Sequence, residues 1–197
     1  MINRNLQAKQ TKEKIRQTAF DLILESSFDK VSINQICKKA EVTKGAFYHH
    51  YKSKSDIVIE MYEVNVLSKL NLSEIVESSK TSFEKIHDSI LTYLHLLFAD
   101  SHAFVRQVLI HEITTDESVF LTEGVKTYDI LKNIIEEGQH NKEIRTDLSS
   151  NRITNSLVIF IRGTSYDYFI KKCSYDFFER VESDMKVYLE WLRYVDK

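Results

Sequence analysis

The chain of 197 residues contains no proline and only four glycines, and this scarcity of helix breakers limits the folds open to it. Both residues disfavour helix interiors, and proline also removes a backbone donor. Apolar residues recur at helical spacing, as in the stripe of Ile15, Ala19, Leu22 and Ile23. We therefore expect an all-α protein of about nine helices, with short connections that side chains cap.

Residues 43–57 combine rings, imidazoles and lysines in a mixture that neither a core helix nor a solvated helix requires. The segment reads TKGAFYHHYKSKSDI. Thr43 is a good helix N-cap, and Gly45 has no Cβ to prevent close backbone approach. Lysines supply charge for phosphates, while tyrosine and histidine supply neutral donors for base edges. The segment therefore predicts a DNA-recognition helix.

A second helix is predicted just before this one. Ser32 and Gln35 form the S-x-x-Q pattern of a capping box, so we expect that helix to begin at Ile33. Residues 32–57 together resemble the helix-turn-helix signature of the TetR family of bacterial transcriptional regulators. With the preceding helix the resemblance covers residues 10–62. The family usually has glycine where this chain has Glu41, at a turn that often needs a left-handed residue.

The resemblance implies a three-helix DNA-binding head with a helix-turn-helix, residues 1–53, and a larger helical-bundle body for ligand binding and dimerisation, residues 54–197. It implies a ligand-responsive regulator, a repressor released from a palindromic DNA operator by a small molecule. On this interpretation the protein is not an enzyme and needs no cofactor. Residues 1–9 are expected to form a loose arm, and the helix from Lys54 to about Leu70 to link head and body.

Carried over residue by residue, the resemblance implies DNA contacts from both motif helices and the start of the next helix. These residues are Ser32, Thr43, Lys44, Gly45, Ala46, Tyr48, His49, His50, Lys52 and Lys54. Hydroxyls and backbone N–H groups at helix N-termini suit phosphates, and the Ala46 methyl suits a thymine methyl. Phe47 and Tyr51 are expected to face the core of the head. His50 can face either way.

Charge is distributed unevenly along the chain. Residues 1–56 hold 11 Lys/Arg against 6 Asp/Glu, whereas residues 57–197 hold 16 against 23. A basic first quarter of the chain followed by an acidic remainder is typical of a nucleic-acid-binding head on a body that does not bind nucleic acid.

No apolar run reaches the length of a membrane span, and Cys37 and Cys173 form no CxxC pair. We therefore expect a cytoplasmic protein with reduced thiols and no membrane partner.

The last two helices are expected to be strongly apolar, and Ser174 is expected to cap the final one. Residues 157–161 are five consecutive apolar residues, so that helix should be buried on more than one side. The family builds its homodimer from these two helices. A central core helix in a monomer explains the same run. A single small helix-turn-helix reads too few base pairs to be specific, which favours the dimer.

The resemblance also implies a small-molecule pocket in the body. Its candidate residues are polar side chains within apolar stretches, namely His95, His111, Tyr128 and Arg162. Each has a structural alternative. Arg162 could form an interface salt bridge, His111 could face solvent, and Tyr128 could be a core tyrosine with a bonded hydroxyl.

Two alternative functions remain open. The first is a constitutive DNA-binding regulator without an effector. The second is a helical-bundle metalloenzyme, because Glu84 with His87, and Glu137 with His140, have the E-x-x-H spacing of di-iron carboxylate bundles. Against the second, Glu84 is predicted to cap its own helix together with Thr81.

Overall fold

The computed structural model describes residues 2–26, 28–114 and 125–193, with side chains from residue 5 onward. Its α-helices are α1 (Ile2–Glu25), α2 (Ile33–Lys39), α3 (Lys44–His50), α4 (Lys54–Tyr62), α5 (Ser73–Val76), α6 (Ser82–Phe98), α7 (His102–Thr114), α8 (Lys126–His140), α9 (Ser150–Ile170) and α10 (Phe177–Trp191). A 3-10 turn, Phe28–Lys30, precedes α2, and a π-helical segment, Glu63–Leu67, continues α4. The all-α prediction is confirmed. Within the described part, no helix is both long and apolar enough to cross a membrane.

Side-chain caps set the start of each helix in the helix-turn-helix region. Ser32 Oγ accepts the Gln35 N–H at 3.2 Å, and Gln35 Oε1 accepts the Ser32 N–H at 2.8 Å. This is the predicted capping box. Thr43 Oγ1 accepts the Ala46 N–H at 3.1 Å and starts α3, as predicted. Ser53 caps α4 in the same way. Because each cap spans only three residues, the local sequence alone determines where these helices begin.

Two helix starts differ from the prediction. The first helix begins at Ile2 and replaces the expected loose arm, because the first nine residues contain neither glycine nor proline to interrupt it. The last helix is capped by Asp176, whose carboxylate accepts the Glu179 N–H at 2.9 Å, and not by Ser174. Ser174 instead follows a left-handed turn in which Cys173 has a φ of 56°.

The chain divides into two compact units. The first unit comprises Met1–Leu70 and His95–Glu117, and the second comprises Asn71–Leu94 and Ser118–Lys197. The boundary therefore passes within α6. The division of function after residue 53 stays a prediction.

In the first unit, α1, α2, α3, α4 and α7 enclose an apolar core. Its fully buried side chains include Ile15, Ala19, Ile36, Phe47, Ile57, Met61, Val105 and Val108. The predicted inward positions Phe47 and Tyr51 are confirmed, since both are buried. Because these two rings face the core, the opposite side of α3 faces solvent.

In the second unit, α8 packs on α9 and α9 packs on α10. The buried side chains include Leu131, Ile135, Leu157, Ile161, Val181 and Met185. The apolar run at residues 157–161 is only partly buried, because Ile159 is 68% exposed. Within this run, the Ile159 side chain therefore faces solvent.

Gly138, near the end of α8, lies where no side chain fits. A Cβ there would lie 2.8 Å from Ser82 Cβ and 2.6 Å from Ile144 Cδ1. Gly138→Ala is therefore expected to destabilise the protein by about 1–3 kcal/mol, although alanine normally stabilises a helix. Urea unfolding followed by far-UV circular dichroism measures this change.

Gly45→Ala is the matched control for Gly138→Ala. At Gly45 the nearest atom to a new Cβ is Thr43 Oγ1, at 3.8 Å, so the unfolding midpoint should not fall. A midpoint for Gly138→Ala equal to or above that of the parent would show that α8 and α6 relax without strain.

Candidate nucleic-acid interface

The exposed side of α3 carries the polar residues that the sequence assigns to DNA. Tyr48 is 55% exposed, and Lys44, Gly45 and His49 are also exposed. On the opposite side, the Phe47 ring is fully buried and lies edge to face with Tyr48, with 5.4 Å between centroids. The buried ring fixes the helix, so the exposed side chains project from a rigid base.

Two further predicted contacts lie at the starts of the motif helices. Ser32 and Thr43 are both exposed, and each uses its hydroxyl oxygen to accept a backbone N–H of its own helix. The Thr43 hydroxyl is also a donor and can rotate toward a phosphate oxygen, whereas the Ser32 hydroxyl donates to Gln35 Oε1 at 2.8 Å. Ala46 is half-buried beside them.

The turn between α2 and α3 has the left-handed residue that its position requires. Glu41 has a φ of 53°, in the region where the family usually has glycine. Its carboxylate accepts a hydrogen bond from Lys14 Nζ at 2.9 Å, and this bond lowers the pKa of Glu41. The motif therefore keeps its geometry without glycine, and the side chain ties the turn to α1.

The two histidines at the end of α3 have different surroundings. Their rings lie edge to face with centroids 5.0 Å apart, but His49 is exposed and His50 is half-buried. Burial lowers the pKa of His50, and the nearby His49 and Lys12 lower it further. His50 is therefore largely neutral at pH 7, and its ring has one donor and one acceptor nitrogen.

His50 also lines a cleft of about 460 Å³ inside the first unit. Lys12 of α1, Glu60 of α4 and His111 of α7 line it as well. Lys12 Nζ lies 2.7 Å from Glu60 Oε2 and 5.5 Å from the centre of the Tyr51 ring. This ion pair lines the cleft and connects α1 to α4.

The three residues between α3 and α4 are held by the carboxylate of Asp56, which lies in the first turn of α4. Asp56 Oδ2 accepts the Lys52 N–H at 2.8 Å, and Asp56 Oδ1 accepts the Ser53 hydroxyl at 2.5 Å. Burial raises the pKa of Asp56, but the Ser53 hydroxyl and the backbone donors outweigh it, so the pKa is lowered. The side chain of Lys52 remains exposed.

Lys54 differs from the other predicted contacts, because its ammonium group is directed into the protein. Its Nζ donates to Phe28 O and to Val31 O, both at 2.6 Å, and lies 4.2 Å from the centre of the Phe28 ring. Burial lowers the pKa of Lys54, while Asp29 raises it. One of its three N–H groups is left for any other partner.

The four candidate ligand-binding residues are divided between the units. His95 and His111 belong to the first unit, and Tyr128 and Arg162 to the second. His95 is exposed, Arg162 is half-buried, and His111 is buried, so the solvent-facing alternative for His111 is wrong. Their role in binding a ligand stays a prediction.

Tyr128 is fully buried and connects α8 to α9. Its hydroxyl oxygen lies 2.7 Å from Asn151 Oδ1 and 2.8 Å from Asn155 Oδ1. This matches the alternative of a core tyrosine with a bonded hydroxyl. No sequence periodicity indicates these asparagine partners, since they lie 23 and 27 residues further along the chain.

Both glutamates of the E-x-x-H pairs have other partners. Glu84 accepts the Thr81 N–H at 2.9 Å and completes the predicted capping box. Glu137 pairs with the buried Lys85 at 3.0 Å, and His140 is exposed. Across the described ranges, no group of three or more His, Cys, Asp and Glu side chains is placed to hold a metal ion.

Residues 15–61, from within α1 to the end of α4, match the family described as bacterial regulatory proteins of the tetR family. The chain is 24% identical over 196 residues to the HTH-type transcriptional regulator AcrR of Shigella flexneri, covering 93% of this chain and 90% of AcrR. It is 27% identical over 146 residues to the fatty acid metabolism regulator protein of Bacillus subtilis (strain 168), covering 71% and 75%.

A solved structure has the same fold. Thermus thermophilus FadR, a TetR-family transcriptional repressor in complex with lauroyl-CoA, superposes with a TM-score of 0.74 over 94% of this chain and 97% of that one, at 18% identity. The family match covers α2, the turn at Glu41 and α3, which form the helix-turn-helix described above. The chain belongs to the TetR family of bacterial helix-turn-helix transcriptional regulators.

Proposed function

We propose that the protein is a homodimeric repressor that places α3 in the major groove of a palindromic operator and is released by a small molecule. The proposal rests on the fact that α3 has one buried side and one exposed polar side. Phe47 anchors one side in the core, and Lys44, Tyr48 and His49 cover the other. A helix held in this way can present side chains to base edges in a fixed register.

The predicted contacts other than Lys54 each have a role in this docking. Lys44 and Lys52 neutralise phosphates, and the Thr43 hydroxyl binds a phosphate oxygen at the start of α3. Ser32 lies at the start of α2, where its hydroxyl donates to Gln35 Oε1 at 2.8 Å, so it binds a phosphate oxygen only by releasing Gln35. Tyr48, His49 and the neutral His50 are donors and acceptors for base edges. Gly45 and Ala46 bring the backbone of α3 close to the DNA. The excess of basic residues over residues 1–56 attracts the DNA backbone in a salt-dependent manner.

Gly45→Ala tests this docking, because it should change stability and DNA affinity in opposite directions. A new Cβ meets Thr43 Oγ1 at an ordinary contact distance of 3.8 Å in the free protein, so alanine should stabilise α3 by roughly 0.5–1 kcal/mol. The same methyl group would lie between α3 and the DNA, and we expect operator affinity to fall about tenfold, or roughly 1.4 kcal/mol. Fluorescence anisotropy with a labelled operator gives the affinity, and urea unfolding of the same variant gives the stability.

A loss of affinity in a more stable variant excludes unfolding as its cause. Parental affinity in Gly45→Ala would contradict the docking of α3 against DNA.

Dimerisation is supported by apolar side chains that the protomer leaves uncovered. Ile159 and Ile170 lie eleven residues, or three turns, apart on α9, and both are largely exposed. Val187 and Trp191 lie one turn apart on α10 and are also exposed. A two-fold dimer through these helices covers the four residues in both copies and provides two heads for a palindrome.

Control by a small molecule is supported by the relatives. The Bacillus subtilis relative is a fatty acid metabolism regulator protein, and Thermus thermophilus FadR forms a complex with lauroyl-CoA. Lauroyl-CoA is therefore the first probe, with coenzyme A as its control. A ligand shifts the DNA-binding equilibrium only by its differential affinity for the two conformers. Release of labelled operator by lauroyl-CoA but not by coenzyme A would exclude a constitutive regulator.

A further inference from the structure

The ammonium group of Lys54 has an unusual position for a lysine in a DNA-binding motif. Lys54 is the first residue of α4, and its Nζ donates 2.6 Å hydrogen bonds to two backbone carbonyls. These carbonyls belong to Phe28 and Val31, which lie 26 and 23 residues earlier in the chain. Charge-assisted bonds of this kind are roughly twice as strong as neutral ones.

The two carbonyls belong to the segment that leads into α2. Phe28 begins the 3-10 turn, and Val31 is buried directly before Ser32, the N-cap of α2. Phe28 O also accepts the Val31 N–H at 3.3 Å, so it holds two donors. The Phe28 ring, 4.2 Å from Lys54 Nζ, adds a cation–π contact. Lys54 thus fixes the chain where α2 begins.

The same first turn of α4 also holds the chain where α3 ends. Asp56 accepts the Lys52 N–H and the Ser53 hydroxyl at 2.8 and 2.5 Å. The carbonyls that bind Lys54 come before α2, and the groups that bind Asp56 come after α3. Both ends of the helix-turn-helix are therefore attached to two residues of α4 that lie two positions apart.

We propose that Lys54 is a positioning residue that holds the entry of α2 on the first turn of α4, and that it does not serve as a ligand for a DNA phosphate. The inference rests on the proposed DNA-binding function and changes the role that the family resemblance gives to Lys54. Because Asp56 holds the other end of the motif, a displacement of α4 carries α2 and α3 with it as one body.

Salt dependence separates the two roles of a lysine. A phosphate contact releases a counterion, so its loss lowers the slope of log K against log salt by about 0.9 for each contact, or about 1.8 for a dimer. A positioning residue weakens binding by the same factor at every salt concentration. The variant Lys54→Met keeps the apolar stem and removes the donors, and Lys54→Gln keeps a neutral donor. Lys44→Met is the matched variant at an exposed predicted contact.

We expect Lys54→Met to weaken binding to the selected operator about tenfold with an unchanged salt slope. Lys54→Gln should recover part of that loss, because its amide can still donate to a carbonyl. Lys44→Met should lower the slope by about 1.8 for the dimer. Hydrogen exchange in the DNA-free protein is the second measurement. Lys54→Met should increase amide exchange over residues 28–36 and leave α9 unchanged.

Three outcomes would overturn the proposal. The first is that Lys54→Met and Lys54→Gln both lower the slope of log K against log salt as much as Lys44→Met does. The second is unchanged exchange over residues 28–36 in Lys54→Met. The third is parental affinity in that variant. Failure of the proposed function looks different, because the parent protein would then select no operator, while the exchange measurement would still test the contact of Lys54.

Discussion

Phe47→Ala is expected to unfold the DNA-binding head. The Phe47 ring is fully buried, on a helix that packs on α1 and α2, and removing a buried aromatic ring costs about 3–5 kcal/mol. Small domains have a total stability of about 5–15 kcal/mol, so this loss is a large part of what holds the first unit together. Because α3 is attached to the core through this ring, DNA binding should be lost with it.

The only tryptophan of the chain allows the loss to be localised. Trp191 lies in α10, within the second unit, so its fluorescence reports on that unit, whereas far-UV circular dichroism reports on all helices. In Phe47→Ala we expect a reduced helical circular dichroism signal. We also expect an unfolding transition at lower urea that circular dichroism detects and Trp191 fluorescence does not. The control is Tyr48→Ala at the adjacent, 55% exposed position, which should keep the parental transition and still weaken DNA binding. A parental transition in Phe47→Ala would contradict the packing described for α3.

Ile159→Asp is expected to convert the proposed dimer into monomers. Burying an isoleucine side chain contributes about 1.5–3 kcal/mol to the free energy of association. In a two-fold dimer each substitution is present in both copies, so the loss occurs twice. Aspartate adds the cost of desolvating a charge. The dimer should therefore be weakened by at least about 3 kcal/mol, which corresponds to more than about a hundredfold in the dissociation constant. Because Ile159 is 68% exposed in the protomer, the fold of the protomer should not change.

Sedimentation velocity over a concentration series measures the dissociation constant of this dimer, and circular dichroism checks the fold. The control is Lys126→Asp, an exposed position in the first turn of α8 where an acidic residue is favourable. That variant should remain a dimer. A parental dissociation constant for Ile159→Asp would place the dimer interface elsewhere or exclude the dimer.

The sequence could predict the parts of this site that depend on short spacings. The caps at Ser32 and Thr43 each join residues three positions apart, and both were predicted correctly. Burial of Phe47 and Tyr51 followed from their helical spacing. The left-handed conformation at Glu41 was indicated only by the family resemblance, because the family usually has glycine at this position. Local rules were sufficient because the motif is short and ordered.

The sequence could not predict the contacts that connect distant segments. Lys54 meets the carbonyls of Phe28 and Val31 only after the chain has turned twice, and backbone carbonyls leave no signature in a sequence. The π-helical segment after α4 was likewise not foreseen, since residues 63–67 contain no glycine or proline to indicate a change in helix type. In both cases tertiary packing decides the result.

The most direct test of the central claim is selection of randomised DNA duplexes by the purified protein, followed by sequencing and by affinity measurements across a salt series. We expect enrichment of a palindrome with half-sites about one helical turn apart, and an affinity that falls steeply as salt rises. Retention of DNA without any enriched sequence would contradict a dimeric sequence reader and leave only a basic surface on the first unit.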